Sequence, residues 1–382
     1  CFLLIKESLG FHNSLARKAS TSTPLQMAST AQSTSSTSSL LPIVETKQIQ
    51  LSQVNAEIMT CKPPLSSQSN PLLNLNPFFK NTNNRKTTTT KQPLLFIHGS
   101  FHASWCWAKH YMPFFASLGC PCYSLSLRGT GNTFAGDGVK KVQIAQHVHD
   151  LSDFISYIKK QEENDENETH VKPILIAHSF GGLAIMKYLE ENLREKKVTL
   201  DELPITAVIS MCSVPPSGNG KMTMRFLKRS LLDSWKITAG LAMKKVIKDE
   251  TLCRELFFDE DLNAPDCVSP KDLIQIQGYF ERDTVATIDL MDLAKKLPSK
   301  YTDENNGRAT FLEFGKDASS GSVLPSLVIG AKDDFIVDKE GVEELARYYG
   351  VNAVMVDSPH DVMLGSKWRN AANEIRSFLE KL

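Results

Sequence analysis

The stretch Pro173-Ile174-Leu175-Ile176-Ala177-His178-Ser179-Phe180-Gly181-Gly182 constrains this chain more than any other. Four apolar residues follow a proline and read as a short strand buried on both faces. From Leu183 to Leu189 apolar residues return at helical spacing. The backbone must therefore turn from strand to helix within two or three residues around Ser179. Ala177, two positions before the serine, and Gly181, two after it, leave room for that turn. Such a turn raises the serine Oγ at the C-terminal edge of a sheet, on strained backbone. The helix N-terminus behind it directs free N–H groups and partial positive charge at the same spot. An alkoxide and a developing oxyanion are both stabilised there. Alone, the pattern also fits a plain Ser/Gly connection, so the rest of the chain has to discriminate.

The remaining apolar runs alternate with helical patterns. Leu94-Leu95-Phe96-Ile97 ends in His98-Gly99-Ser100-Phe101, and Trp105, Trp107, Tyr111 and Phe115 follow as a helical stripe. Tyr123-Ser124-Leu125-Ser126-Leu127 ends in the Gly-rich turn Arg128-Gly129-Thr130-Gly131-Asn132. Ile144, Val148, Leu151, Ile155 and Ile158 then keep helical spacing. Residues 205–212 and 326–330 read as buried strands, 339–349 as a helix, 353–356 as the last strand, and 368–382 as a closing amphipathic helix. Residues 43–58 alternate loosely and suggest a hairpin. This rhythm predicts an α/β fold, a mostly parallel sheet with helices on both faces. Active sites in such sheets lie at the carboxyl ends of strands, where Ser179 and His98-Gly99-Ser100 both fall.

Pro215-Pro216-Ser217-Gly218-Asn219-Gly220 breaks the alternation. Residues 222–297 are helical in pattern, without a credible strand, and predict an inserted cap. Met222, Met224, Phe226, Leu227, Leu231, Leu232 and Trp235 form an apolar set among Lys and Arg. The plain expectation is that most of them pack the cap onto the body; the sharper one is a cap that faces substrate and touches a membrane surface. The expected domains are a 43–214 plus 298–382 core and a 215–297 cap. Residues 66–92 and the acidic run 161–168 read as polar loops.

Residues 1–42 are rich in Ser and Thr and poor in acids, and cannot build a core. This is the composition of organelle transit peptides, and Met27-Ala28-Ser29-Thr30 looks like a plastid start. The expected location is the plastid stroma, with the cytoplasm as the alternative; a plain tail is the simpler reading of the segment. Formal net charge is zero, which speaks against a nucleic-acid partner, and no apolar run is long enough to span a membrane. The eight cysteines lack metal-ligand spacing, so no metal or cofactor is expected.

A neutral serine is a poor nucleophile and needs a base, and the base needs an orienting group. Of nine histidines only His360 follows Ser179, in Asp357-Ser358-Pro359-His360-Asp361 after the last strand. Alone it would pass for a surface histidine. Asp333 and Asp334 follow another strand end, and either suits the acid. The order Ser, Asp, His is that of elbow-type hydrolases.

Here the chain resembles the α/β-hydrolase fold superfamily, over about residues 43–382, and is similar to plant plastid and bacterial proteins of the α/β-hydrolase 1 type. The resemblance rests on His98-Gly99 with Trp105 and Trp107, on Arg128-Gly129-x-Gly131, on Ala177-His178-Ser179-Phe180-Gly181-Gly182, and on Pro359-His360-Asp361. It implies Ser179 as nucleophile, His360 as base, and Asp334 as acid, since Asp334-Phe335-Ile336-Val337 fits the family register except for a final proline. It implies an oxyanion hole from the backbone N–H groups of Ser100 and Phe180, and backbone-bracing roles for His98 and His178. The expected activity is that of a serine hydrolase on a small-molecule or lipid ester. Serine rather than aspartate at the elbow speaks against dehalogenase and epoxide hydrolase chemistry. Two alternatives share the fold: a hormone-receptor-like binding protein and a hydroxynitrile-lyase-like enzyme.

Overall fold

The apolar runs become strands β1 (Val44–Gln50), β2 (Asn55–Cys61), β3 (Leu94–Ile97), β4 (Cys122–Leu125), β5 (Lys141–Val142), β6 (Ile174–His178), β7 (Ala207–Met211), β8 (Thr287–Ile288), β9 (Ser326–Ala331) and β10 (Ala353–Val356). They come from a computed structural model that describes residues 42–64, 91–162, 171–258, 261–313 and 323–382. The polar N-terminal segment and most of the 66–92 and 161–168 loops lie outside the described residues.

Eight strands form one sheet in the order β1-β2-β4-β3-β6-β7-β9-β10. β1 and β2 make the expected antiparallel hairpin, which meets β4 antiparallel. Every later pairing, from β4 through β10, is parallel. β6 lies between β3 and β7, so the serine turn opens at the middle of the sheet.

Alternate residues of the central strands feed two cores. Leu95, Ile97, Leu175 and Ala177 join the first, with Val148 and Leu151 of α3 (Ile144–Glu162) and Leu183 of α4 (Gly181–Leu189). Leu94, Phe96, Ile174 and Ile176 join the second, with Trp107 of α1 (Trp105–Ala108), Tyr111 and Phe115 of α2 (Tyr111–Ser117), and Ile375 of α11 (Trp368–Leu379). A period of two with both faces covered explains why these runs are continuously apolar. Each fully buried Leu, Ile or Phe contributes roughly 1.5–3 kcal/mol. The strand expected over 123–127 stops at Leu125 because the chain is taken over by side chains: the Leu127 N–H donates to His98 Nε2 (2.9 Å).

Between β7 and β9 run α5 (Asn219–Arg229), α6 (Leu231–Ile237), α7 (Glu250–Phe257), α8 (Pro270–Arg282) and α9 (Leu290–Lys295). The segment is not helical throughout, as the sequence suggested: β8 pairs in parallel with β5. Two residues suffice for this ladder, too few for a periodic signal. β9 returns the chain to the sheet, and α10 (Lys339–Tyr349) links it to β10. Asp283, just past α8, pins the insertion to the core. It accepts from the Gly131 N–H (2.8 Å) and from Trp105 Nε1 (2.9 Å). The expectation that most of the apolar set packs inward is overturned. Met222 is buried, but Met224, Leu231, Leu232 and Trp235 face solvent. Of the same set Phe226 packs partly against the core, and Ile237, outside the set, supplies the inward contact of α6.

Candidate active site

Ser179 stands one residue past β6 with φ of 50°, in the left-handed region that costs a non-glycine residue energy. Two contacts hold it there. Its N–H donates to Met211 O (3.1 Å), and its carbonyl accepts from the Val214 N–H (3.2 Å). Both partners lie at or just past the end of β7. Gly181 opens α4 against the end of β3, where a Cβ would meet Ile97 O at 2.7 Å and His98 O at 2.8 Å. Gly99 approaches from the other side, and a Cβ there would lie 2.7 Å from Ser179 Cβ. The small residues around Ser179 are thus demanded by backbone proximity.

His360 follows β10 and meets Asp334, which follows β9. Its Nδ1 lies 2.9 Å from both carboxylate oxygens, and both side chains are buried. Asp334 Oδ1 also accepts from the N–H groups of Ile336 (2.7 Å) and Val337 (2.8 Å), which fixes the carboxylate. Asp333 points away and pairs with Lys367 at the surface (3.3 Å). Burial pushes the His360 imidazole down, but the charge and hydrogen bond of Asp334, with help from Asp361, outweigh it. The net result lies above the ordinary value of 6.5. Among the described residues Ser179 Oγ makes no hydrogen bond to His360. His178, the residue before Ser179, has its ring centroid 4.7 Å from that of His360.

Ser100 and Phe180 carry the two N–H groups expected to face an oxyanion. Among the described residues neither has a protein acceptor. Phe101, beside Ser100, has φ of 70°. Phe101, Phe257 and Phe280 form an aromatic wall, with centroids 5.0–6.2 Å apart, and the Phe257 ring lies 6.1 Å from His360.

The other histidines brace backbone. His98 Nδ1 donates to Gly99 O (2.8 Å), and its Nε2 accepts from the Leu127 N–H. Burial lowers its pKa to about 4, so the ring is neutral, as those two contacts require. His178 donates from Nε2 to His360 O (3.0 Å). Sequence reasoning gave no role to His102 and Asp361. Their buried side chains meet at 2.9 Å, and His102 Nδ1 also donates to Ser100 O (2.8 Å). A histidine four residues after His98 was the one visible signal. Arg128, from the Gly-rich turn, forms a buried bidentate pair with Asp150 of α3, 2.7 Å at its Nη2.

Ligand atoms of His102, His178 and Asp361 gather within 4.8 Å, as do those of Cys212, Asp334 and His360. Hydrogen bonds already engage His102 Nε2 with Asp361 Oδ2 and His360 Nδ1 with Asp334. Burial, then the Asp334 charge, raise the Cys212 thiol well above its ordinary value, so it stays neutral rather than a thiolate ligand.

The sequence pattern of the alpha/beta hydrolase family matches residues 94–371. The chain belongs to the alpha/beta hydrolase family. No curated protein matches it by sequence. Among solved structures, it is similar to 2-hydroxy-6-oxo-6-phenylhexa-2,4-dienoate hydrolase from Rhodococcus sp. strain RHA1. The identity is 12%, the TM-score 0.56, and the match covers 89% of this chain and 99% of that one. An epoxide hydrolase from Vigna radiata matches at 14% identity and TM-score 0.52, over 89% and 98%. A bacterial membrane phospholipase A matches at 13% and 0.51, over 88% and 86%. At such identities these alpha/beta hydrolase relatives share the fold alone. No helix among the described residues is long and apolar enough to cross a membrane.

Proposed function

We propose that this alpha/beta hydrolase is a serine hydrolase that cleaves a carboxylic or lipid-like ester through an acyl-enzyme. The observation that carries the reading is the buried contact of His360 Nδ1 with Asp334 beside the strained Ser179 turn. His360 Nε2 takes the Ser179 proton as Oγ bonds to the ester carbonyl carbon. Asp334 holds the proton-bearing Nδ1 and stabilises the imidazolium that forms. The oxyanion is met by the N–H groups of Ser100 and Phe180, a contribution of about 3–4 kcal/mol per donor in studied enzymes. His360 returns the proton to the leaving alcohol, and water then attacks the acyl-enzyme by the same route. The Ser179–His360 hydrogen bond forms on substrate binding in this account, since such contacts are often long in free enzymes. Residues 215–297 act as the cap, and the aromatic wall of Phe101, Phe257 and Phe280 favours an apolar acyl group.

A fluorophosphonate probe tests this. Wild-type protein is expected to be labelled at Ser179 and to hydrolyse p-nitrophenyl esters, with a preference that rises with acyl length. A Ser179→Ala variant is expected to do neither. A folded wild-type protein that resists the probe and leaves every ester intact overturns the reading. Release of an aldehyde and cyanide from cyanohydrins instead identifies a lyase.

A further inference from the structure

We infer that α5, α6 and the loop after them form a docking surface for an anionic phospholipid membrane. The inference goes beyond the hydrolytic reading and needs no catalysis. Three observations support it. First, several large apolar side chains stand in solvent close together in sequence here: Leu231 is 77% exposed, Leu232 63%, Trp235 54% and Met224 46%. Met243, further along, is also exposed. Isolated exposed apolar residues are ordinary, but neighbours on one short segment mark a contact surface.

Second, the charge is one-sided. The whole chain is neutral, yet residues 219–248 hold eight cations (Lys221, Arg225, Lys228, Arg229, Lys236, Lys244, Lys245, Lys248) against one anion, Asp233. Extending the count through Asp249 and Glu250 leaves eight against three. Arg225, Arg229 and Lys236 are engaged by Asp338, Glu340 and Glu255. Among the described residues Lys221, Lys228 and Lys248 form no ion pair, and Lys245 Nζ sits 5.7 Å from the centroid of the exposed Trp235 ring. An apolar set containing Trp, rimmed by unpaired lysines, matches the boundary between acyl chains and anionic headgroups.

Third, the inner side of the same helices is already occupied. Ile237 belongs to the core and Phe226, half-buried, packs against it, and the Lys236 ammonium lies 5.9 Å from the centroid of the Phe335 ring, beside Asp334. The exposed residues are therefore surplus to packing. Docking through them would hold the insertion, and with it the side of the site carrying Asp334, at the lipid surface.

The test uses the full chain and sedimentation with sucrose-loaded vesicles. Equimolar phosphatidylcholine–phosphatidylglycerol vesicles are expected to pellet the protein. Pure phosphatidylcholine vesicles should bind on the order of tenfold or more weakly, and added salt should release the protein. Trp235 emission should shift to the blue on binding. Leu231→Ser with Leu232→Ser, and separately Lys221→Glu with Lys228→Glu, should each lose binding on the order of tenfold or more while turnover of a soluble short-chain ester stays unchanged. Because binding is read without turnover, an inactive enzyme leaves the result intact. Protein that stays in the supernatant with anionic vesicles overturns the inference. So does binding that both variant pairs retain, or a wild-type dimer in solution that the leucine variants dissociate.

Discussion

His102 Nε2 lies 2.9 Å from Asp361 Oδ2, across 259 positions of sequence, with both side chains buried. His102 Nδ1 faces Ser100 O, so both ring nitrogens meet acceptors. The pair ties the loop bearing Ser100 to the loop bearing His360. His178 adds a second tie, from the residue before Ser179 to the His360 carbonyl. The loops bearing Ser100, Ser179 and His360 are thus joined by buried polar contacts.

Asp361→Ala is expected to cost about 3–5 kcal/mol of stability, because it leaves the buried His102 Nε2 without its partner. Asp361→Asn should cost distinctly less. Its amide can still hydrogen-bond His102 Nε2, which preserves the link. Denaturant unfolding of the two variants decides this, and equal losses would show that the contact does not carry the stability.

The His360–Asp334 contact makes a pH prediction. The base works only when neutral, and its pKa lies above 6.5. The acid limb of kcat/KM should therefore fall above 6.5 at half-height. Asp334 faces His360 from the β9 side and Asp361 from its own loop; His178, held neutral by burial, faces it from β6. Asp361→Asn should move the limb down by removing the remoter charge. Asp334→Asn should move it further and lower kcat on the order of 10⁴-fold. Stability follows the same sign. The raised folded-state pKa stabilises the protein below 6.5, and that contribution disappears as pH rises through the folded value. Activity profiles and unfolding at several pH values check both.

Much of this was legible because local chemistry dictates it. A continuous apolar run, a serine and two glycines specify the turn at Ser179, and burial on both faces makes β3, β6 and β7 readable. The choice between Asp333 and Asp334 was not readable from composition. Neighbouring residues diverge in direction, and here one meets His360 while the other meets Lys367. The His102–Asp361 link was invisible because its residues are distant in sequence and neither lies in a periodic pattern. The outward apolar residues of α5 and α6 were misjudged for a different reason. An amphipathic pattern reports that one side is apolar, and says nothing about what that side touches.

The Arg128–Asp150 pair offers a stability test away from Ser179. The guanidinium and carboxylate are buried and bidentate. Burial raises the Asp150 carboxyl, and Arg128 opposes that rise. Arg128→Met should destabilise the protein by about 3–5 kcal/mol by leaving the carboxylate unpaired. Arg128→Met with Asp150→Leu should recover most of that loss. A double-mutant cycle by denaturant unfolding measures the coupling, and additive losses would mean that the pair is not coupled.

Two glycines separate the demands of the site from those of the scaffold. Gly99→Ala places a methyl 2.7 Å from Ser179 Cβ, against a turn locked by Met211 and Val214. Something has to move, and a shift near 1 Å at the reacting centre is enough to cost on the order of 10²-fold in rate. The expected result is a large fall in kcat with a stability loss of about 1–3 kcal/mol. Gly278 sits on the exposed side of α8, where a Cβ meets nothing within 4 Å. Gly278→Ala should raise stability by about 0.5–1 kcal/mol, because alanine loses less freedom than glycine in a helix, and should leave kcat alone. Paired kinetics and unfolding on the two variants check the contrast. If Gly99→Ala retains full kcat, Ser179 is not confined by the loop that brings Ser100 to it.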